Sequence, residues 1–257
     1  MKKVKGCIER KTMLYKTGVE YGDYTMNHIQ GCAHGCKYPC YAFMMKKRFG
    51  QIKSYEKWLE PYLVSNTLEL LDKEIPRLKD KIKSVQLCFS TDPFMYQYPE
   101  IQKMSLASIK KLNASGIKCS VLTKGILPIE LAELSRENEY GITLITTNEA
   151  FRKHMEPGSA PLQERLDSLR ALHDAGCITW VSIEPFPTPN IVIQDLQVLL
   201  EEVSFVDRII FGRMNYSTEV TAYTQHKQFF NDRAAEVIAF CNERGISCHI
   251  KGGTITE

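Results

Sequence analysis

Length, composition and charge place this chain among ordinary globular proteins. It has 257 residues, of which 44% are hydrophobic and 25% charged, and its formal net charge is +3. The length fits one large domain or at most two small ones, and the charge neither requires nor excludes a nucleic-acid partner. No apolar run approaches the roughly 20 residues of a membrane span, so no membrane partner is expected.

Six short apolar segments, bounded by Gly, Pro or Asn, are predicted as strands. In chain order they are 24–30, 84–90, 117–123, 141–147, 177–184 and 205–212, and the segment SCHIKG at 247–252 is a candidate seventh. Near-continuous apolar strands are typical of a parallel sheet that is buried on both faces.

Helices are predicted between these strands from apolar residues spaced three or four apart. The stripes are Leu68, Leu71 and Ile75, with an interruption at Pro76; Leu106, Ile109 and Leu112; Leu162, Leu166, Leu169 and Leu172; Ile193, Leu196, Leu200 and Val203; and Ala234, Ile238 and Cys241. Each helix returns the chain for the next parallel strand. The predicted fold is therefore α/β, a partial (βα)6 TIM-like barrel with outer helices.

Polar or turn-forming residues follow every predicted strand. The segments are the cysteine loop after the first strand, then STDPF, TKG, TTNE, EPFPTPN and GRMN. In parallel βα folds such loops converge at the carboxyl ends of the strands, where active sites form. This convergence favours an enzyme over a simple binding module.

The segment GCAHGCKYPCYA at 31–42 places Cys32, Cys36 and Cys40 in one loop. The odd total of nine cysteines in a chain of this length indicates reduced thiols, and we expect a cytoplasmic location. A structural zinc ion takes four ligands, and His28 or His34 could supply the fourth. An iron–sulfur cluster with three cysteine ligands would leave one iron open to a small molecule. Both interpretations remain open at this point.

The ordered motifs resemble the radical S-adenosylmethionine (radical SAM) superfamily, and within it the spore photoproduct lyase-like branch. The resemblance rests on the cysteine loop, STDPF, LTKG and EP…RLDSLRALHDAG, and it covers about residues 24–215. It implies one radical SAM domain over 1–257, with an N-terminal extension at 1–23 and a C-terminal helix and tail at 216–257. The cysteine spacing here is CxxxCxxxC, one residue more than the family's CxxxCxxC, and Pro39 is the simplest candidate for the extra residue.

By this resemblance, Cys32, Cys36 and Cys40 bind three irons of a [4Fe–4S] cluster, and SAM binds the fourth. Reductive cleavage of SAM would then give a 5′-deoxyadenosyl radical that abstracts hydrogen from a substrate, with electrons from a flavodoxin- or ferredoxin-like donor. The implied cofactor-binding residues are Ser90, Thr91 and Asp92 for the SAM amine, Lys124 for its carboxylate, Thr147 and Asn148 for the ribose, Glu184 and Arg213 for orientation, and Tyr38, Tyr41, Met214 and Asn215 near the cluster or adenine.

The substrate stays open between a small or peptide-sized molecule and nucleic acid. Spore photoproduct lyase repairs a thymine dimer in DNA with a cysteine three residues before the second-strand Asp, and Phe89 occupies that place here. Strand alternation would turn Cys88 to the opposite face, which weakens the DNA-repair interpretation. The basic run 44–53 is a candidate phosphate contact, and a non-enzymatic zinc or iron–sulfur protein is the third alternative.

Overall fold

A computed structural model describes residues 1–256, in which eleven strands and nine α-helices are defined. The strands are β1 Gly6–Ile8, β2 Tyr15–Lys16, β3 Tyr24–Met26, β4 Ile29–Gln30, β5 Tyr62–Val64, β6 Ser84–Leu87, β7 Lys118–Thr123, β8 Glu139–Thr143, β9 Ile178–Phe186, β10 Arg208–Arg213 and β11 Ser247–Ile250. The α-helices are α1 Tyr41–Arg48, α2 Tyr55–Trp58, α3 Thr67–Leu78, α4 Pro99–Asn113, α5 Glu149–Met155, α6 Leu162–Asp174, α7 Leu196–Glu202, α8 Thr218–Ala222 and α9 His226–Arg244. No helix among these residues is long and apolar enough to cross a membrane.

The main sheet confirms the predicted α/β fold. Its strand order is β11-β10-β9-β8-β7-β6-β3-β2, and every neighbouring pair is parallel except β2 with β3 at one edge. Six strands alternate with helices, as predicted, and β11 is the seventh parallel strand. Because the strands are parallel, all the loops that follow them emerge at one end of the sheet.

The first predicted strand, 24–30, is divided in two. Strand β3 pairs with β6 in the main sheet, whereas β4 pairs with β5 in a separate three-stranded sheet of order β1-β5-β4. The break falls at Asn27 and His28. The Asn27 side chain accepts the Ser90 amide at 3.1 Å, and the His28 carbonyl accepts the Val64 amide at 2.9 Å. This division carries the chain from the sheet into the cysteine loop.

The predicted helical stripes are largely correct, with three exceptions. Helix α3 continues through Pro76 for two more residues because buried Leu71 and Ile75 hold its inner face. Ile193 precedes α7 and is 90% exposed. Ile238 in α9 is exposed, and Val237 takes the buried position beside it.

The two ends of the chain meet across the open side of the partial barrel. Glu20, in the β2–β3 loop, accepts the amide of Gly252 at 3.1 Å and lies 2.9 Å from His249 Nε2. The first and last strands of the main sheet are therefore joined by one carboxylate. The wide lateral opening that six βα units would leave is bridged at this point.

Candidate functional site

A cavity of about 510 Å³ opens at the carboxyl end of the main sheet. Its volume lies in the range of sites that bind small molecules and cofactors. The wall contains all three cysteines of the 31–42 loop and most of the predicted cofactor-binding residues. Those that line the cavity are Tyr38, Tyr41, Ser90, Thr91, Asp92, Lys124, Glu184, Arg213 and Asn215.

The cysteine loop is held by backbone contacts on two sides. On one side the Cys32 amide donates to the Trp58 carbonyl at 2.8 Å. On the other, the Lys37 amide donates to the Met155 carbonyl and the Gly158 amide donates to the His34 carbonyl, both at 2.8 Å. A Cβ atom at Gly158 would lie 2.1 Å from the Ala33 carbonyl oxygen, so only glycine permits this approach. The loop is consequently anchored before and after its central cysteine.

The three thiols of this loop are half-buried in the wall of one cavity and do not converge on one point. Burial, followed by the neighbouring Cys36 and Asp92 charges, raises the pKa of Cys32 well above its usual value. Burial also raises the pKa of Cys36 to about 12 and that of Cys40 above its usual value. Within residues 1–256, no three His, Cys, Asp or Glu side chains are grouped to hold a single metal ion. A zinc ion needs such convergence, whereas the cysteines of a cluster bind different irons.

Asp92 fastens three loops together and has no acceptor position to spare. One carboxylate oxygen accepts the Thr123 hydroxyl at 2.6 Å and the Phe94 amide at 2.9 Å. The other accepts the Lys124 amide at 2.7 Å and lies 2.7 Å from His34 Nε2. A carboxylate has about four lone-pair positions, and four partners occupy them. These contacts connect Asp92 to the cysteine loop and to the loop after β7, and its role toward the SAM amine stays a prediction.

Glu156, which the sequence analysis did not assign to the site, is the second fastening point. The carboxylate is 1% exposed, and one of its oxygens accepts the Tyr38 hydroxyl at 2.6 Å and lies 2.8 Å from Lys124 Nζ. The other oxygen accepts from Arg165 of α6 at 2.9 Å. Burial alone would raise the pKa of Glu156, but the Lys124 and Arg165 cations hold it far below its usual value. The only signal in the sequence was its position in the EP…RLDSLRALHDAG motif.

Two polar atoms on the cavity wall are buried without a hydrogen-bond partner among residues 1–256. They are Thr91 Oγ1 and Lys124 Nζ, whose short contact with Glu156 lacks the angle of a hydrogen bond. Unsatisfied buried polar groups are costly, and in native proteins they commonly await a ligand or water. Three thiols beside a free hydroxyl and an ammonium group fit an iron–sulfur cluster with SAM bound to it.

The aromatic residues and Ser90 take distinct positions around the thiols. Tyr38 is buried, and Lys124 Nζ lies 5.6 Å from the centre of its ring. Tyr41 begins α1 and is 58% exposed, so it lies at the rim. The Ser90 hydroxyl donates to Asn27 at 2.8 Å, which leaves its oxygen free to accept.

The far side of the cavity is charged. Lys251 Nζ lies 3.1 Å from the Glu184 carboxylate, and burial raises the pKa of Glu184 despite this cation. Arg213 Nε donates to the Asn215 side chain at 2.8 Å. Tyr21 of the N-terminal extension also lines this side, and the centre of its ring lies 5.8 Å from Lys251 Nζ. Both chain ends thus contribute to the wall, and the sequence analysis had not assigned the N-terminal extension to it.

Thr147, Asn148 and Met214 do not line the cavity, which corrects their predicted roles. Strand β8 ends at Thr143 rather than at 147, so Thr143 takes the position on the wall. Asn148 instead caps α5 by accepting the Phe151 amide at 3.1 Å. Met214 is buried in the core, since alternate residues of an extended segment face opposite sides and Arg213 faces the cavity.

Cys88 lines the cavity together with Phe89, contrary to the expectation from strand alternation. Strand β6 ends at Leu87, and Cys88 has a φ of +58°, so the alternating pattern does not extend to it. The Cys88 sulfur lies 3.5 Å from His28 Nδ1, and His28 Nε2 lies 2.8 Å from the Ser105 hydroxyl. Burial lowers the pKa of His28 to about 3 and raises that of Cys88 to about 12.

The hydrogen-bond chain around His28 determines which of its nitrogens carries the proton. The Ser105 hydroxyl donates to the Pro93 carbonyl, so its oxygen must accept from His28 Nε2. The unprotonated Nδ1 then accepts from Cys88. Cys88 is therefore a neutral thiol, held on the cavity wall by a neutral histidine.

Comparison with known families shows one superfamily match that covers most of the chain. Residues 26–203 match the model of the radical SAM superfamily. An uncharacterized protein of Acidianus two-tailed virus is 27% identical over 214 residues, which cover 77% of this chain and 69% of that protein. An uncharacterized protein of Methanocaldococcus jannaschii is 26% identical over 198 residues, 76% of this chain and 71% of its own length.

Solved structures show the same fold. Spore photoproduct lyase with a dinucleoside spore photoproduct matches with a TM-score of 0.69 at 13% identity, covering 95% of this chain and 80% of the lyase. Streptococcus suis SuiB bound to S-adenosylmethionine matches with a TM-score of 0.55 at 12% identity, covering 89% of this chain and 47% of SuiB. At these identities the likeness concerns the fold alone.

Proposed function

The chain belongs to the radical SAM superfamily, and on this premise we propose that it cleaves SAM reductively at a [4Fe–4S] cluster bound by Cys32, Cys36 and Cys40. Members of this superfamily are enzymes that depend on an iron–sulfur cluster, SAM and an external reductant. We treat residues 1–257 as one domain, with a flavodoxin- or ferredoxin-like protein as the reductant. The proposed substrate is a molecule that occupies the charged side of the cavity.

One observation carries the proposal. Three half-buried thiols line the same cavity as the Thr91 hydroxyl and the Lys124 ammonium group, neither of which has a hydrogen-bond partner among residues 1–256. When bound, the cluster and SAM would supply a 5′-deoxyadenosyl radical for hydrogen abstraction. The protein's own contribution is to bind, orient and shield these groups.

The residues around the thiols suit the polar parts of SAM. Lys124 is a point charge that Glu156 holds in place, and it suits the methionine carboxylate. Thr91 and Ser90 have acceptor oxygens for the amine. Tyr38, fixed through its hydroxyl to Glu156, provides an apolar face that excludes water beside Cys36.

The charged side of the cavity is the proposed substrate end. Arg213 and Asn215 form one hydrogen-bonded pair there, and Glu184 with Lys251 forms another. Gly212 leaves room for the Glu184 carboxyl group, since a Cβ at this position would lie 2.9 Å from it. These pairs offer both donors and acceptors, so the substrate that they favour is polar rather than purely apolar.

A nucleic-acid lesion lyase is the second candidate, and the Cys88 thiol is the observation that favours it. Spore photoproduct lyase, by the resemblance described above, returns a hydrogen atom to its product radical from a cysteine near this position. Cys88 is one residue away in sequence, yet its neutral thiol lines the cavity beside Phe89. The position of Cys88 therefore supports this candidate, which strand alternation alone had weakened.

Anaerobic reconstitution with iron and sulfide tests the primary proposal. We expect a [4Fe–4S] absorption and EPR spectrum, and 5′-deoxyadenosine from SAM after reduction with dithionite. Cys36→Ala should lose both, whereas Cys7→Ala, at an exposed cysteine outside the loop, should keep both. A wild-type protein that binds a single zinc ion and forms no 5′-deoxyadenosine would contradict the proposal.

The lesion-lyase candidate needs a separate test. Wild type and Cys88→Ala would be compared with a dinucleoside spore photoproduct as substrate, with 5′-deoxyadenosine formation measured in parallel. The candidate would be supported if wild type repaired the lesion and Cys88→Ala, while still cleaving SAM, gave products other than the repaired dinucleoside. SAM cleavage without any repair by wild type would eliminate this candidate and leave the primary proposal intact.

A further inference from the structure

Helix α1, which begins immediately after Cys40, differs from the larger helices in how little of it is buried. None of its eight residues is buried, whereas α3, α4, α6 and α9 each bury five. Met44 is 38% exposed, and Phe49, at the end of the helix, is 63% exposed. These exposed side chains leave the outer face of α1 accessible to a partner.

The same segment carries an uncompensated positive charge. Residues 24–55 contain five Lys or Arg and no Asp or Glu, although the whole chain has a net charge of only +3. Among residues 1–256, none of the five pairs with a carboxylate. Some other surface lysines pair with a carboxylate, as Lys73 does with Glu69 and Lys111 with Asp72, and what distinguishes these five is that they lie in one segment without any Asp or Glu. We call the five residues the basic surface: Lys37, Lys46, Lys47, Arg48 and Lys53.

One layer of aromatic side chains separates the basic surface from the cysteine loop. Lys47 Nζ lies 5.8 Å from the centre of the Phe43 ring, and that ring lies 5.0 Å from Tyr55 and 6.3 Å from Trp58. The Tyr55 hydroxyl donates to the Cys36 carbonyl, and the Trp58 carbonyl accepts the Cys32 amide. The surface therefore reaches the backbone of two proposed iron ligands through directly packed groups.

We propose that the basic surface is the docking site of an acidic electron-transfer protein that reduces the cluster; this inference rests on the proposed function. In each encounter the donor would lose one electron and the cluster held by the cysteine loop would gain it, without proton transfer. Unpaired cations steer an acidic partner, and a small interface suits a donor that must leave after each transfer. The contiguity with the cysteine loop favours this partner over nucleic acid, which has no need to approach the cluster from outside the cavity.

Charge reversal of the helix tests the proposal. The variant carries Lys46→Glu, Lys47→Glu and Arg48→Glu, and its matched control carries Lys81→Glu, Lys103→Glu and Lys110→Glu, at three exposed lysines that have no carboxylate partner in the described chain. Both change the net charge equally. The measurement is the second-order rate of cluster reduction by reduced flavodoxin, an acidic flavoprotein, at low and high salt.

We expect the α1 variant to be reduced at least about tenfold more slowly than wild type at low salt, with the difference shrinking at high salt. The control variant should stay within about twofold of wild type. Photoreduced deazaflavin, a small neutral reductant, should reduce all three proteins at equal rates. Equal flavodoxin rates for the two variants would overturn the proposal.

The other outcomes are also distinguishable. If wild type forms no cluster or makes no 5′-deoxyadenosine with deazaflavin, the proposed function itself fails. If the α1 variant loses a salt-dependent gel shift with DNA or RNA while its flavodoxin rate matches the control, the basic surface binds phosphates and the docking proposal is wrong.

Discussion

Helices α1 and α6, of which only α1 contributes residues to the cavity wall, are held in place in opposite ways. Helix α6 buries Leu162, Arg165, Leu166, Leu169 and Leu172 against the sheet. Helix α1 buries none of its residues and ends with three consecutive basic side chains. Helix α6 is held by the removal of its apolar surface from water, and α1 is held by the anchored cysteine loop that precedes it.

The difference separates a structural region from a functional one. An amphipathic helix is placed by its own sequence, whereas α1 is placed by contacts of the cysteine loop and of the aromatic residues behind it. Its outer surface can therefore be selected for a partner without cost to the core. Glu156 lies between the two regions, because it contacts Tyr38 of the cysteine loop and Arg165 of α6.

Removing the charge of Glu156 should weaken its contacts with both the cysteine loop and α6. We expect the largest loss of stability from this substitution. Glu156→Gln leaves the buried Arg165 cation without its carboxylate partner, which should lower the free energy of unfolding by about 3–5 kcal/mol. Urea unfolding of the full-length protein would measure it. Glu201→Gln, in an exposed pair with Arg244, should cost no more than about 1 kcal/mol. If the two variants lost similar free energy of unfolding, Glu156 would not be an important link between the cysteine loop and α6.

A cavity in α6 should destabilise the protein without a specific effect on the cluster. Leu169 is fully buried, and Leu169→Ala should lower the free energy of unfolding by about 2–5 kcal/mol. Val198→Ala, at a half-exposed position of α7, serves as the control and should change it by less than about 0.5 kcal/mol. The iron content of the folded Leu169→Ala protein should equal that of wild type. Loss of iron from the folded Leu169→Ala protein would mean that α6 also affects how the cysteine loop binds the cluster.

The contribution of the Glu156 charge to stability should depend on pH. The pKa of Glu156 is lower in the folded protein than its unfolded value of 4.5, so its stabilisation is complete above that pH and is lost as pH falls. Below pH 4.5 the stability difference between wild type and Glu156→Gln should shrink, by at most about 1.4 kcal/mol per pH unit. Urea midpoints across pH 3 to 6, roughly the range in which this proton binds to the unfolded chain, would show it. A stability difference between wild type and Glu156→Gln that did not change with pH would contradict the conclusion that Glu156 is charged in the folded protein.

The smallest effect should come from α1 itself. Met44→Ala and Phe49→Ala should each change the free energy of unfolding by less than about 0.5 kcal/mol, because both side chains are exposed. The same urea titration measures this change. A loss above 1 kcal/mol, roughly the lower limit for a packed side chain, would show that α1 packs on the core.

Much of the fold was readable from local pattern. The Leu162 to Leu172 stripe predicted α6, and apolar runs predicted the six parallel strands, because burial on one face or on both leaves a periodic signal. The cysteine loop was equally clear, since three cysteines within nine residues have few other uses.

The residues that the sequence misplaced lie where strands end. Thr147 was expected at the end of β8, which stops four residues earlier. Cys88 was expected to face away from the cavity, but its left-handed backbone conformation ends the alternation. The exact end of a strand depends on partners distant in sequence, so a one-strand pattern does not determine which side chains reach the cavity.

The sequence by itself determined the α/β class, the order of the strands along the chain and the three cysteines, because each leaves a signal within a few neighbouring residues. Only the tertiary structure decided that Asp92 and Glu156 fasten the loops, that both chain ends line the cavity, and that α1 stays free of the core. These depend on contacts between residues 30 to more than 200 positions apart. Such contacts follow from how the sheet curls and closes, which no single segment encodes.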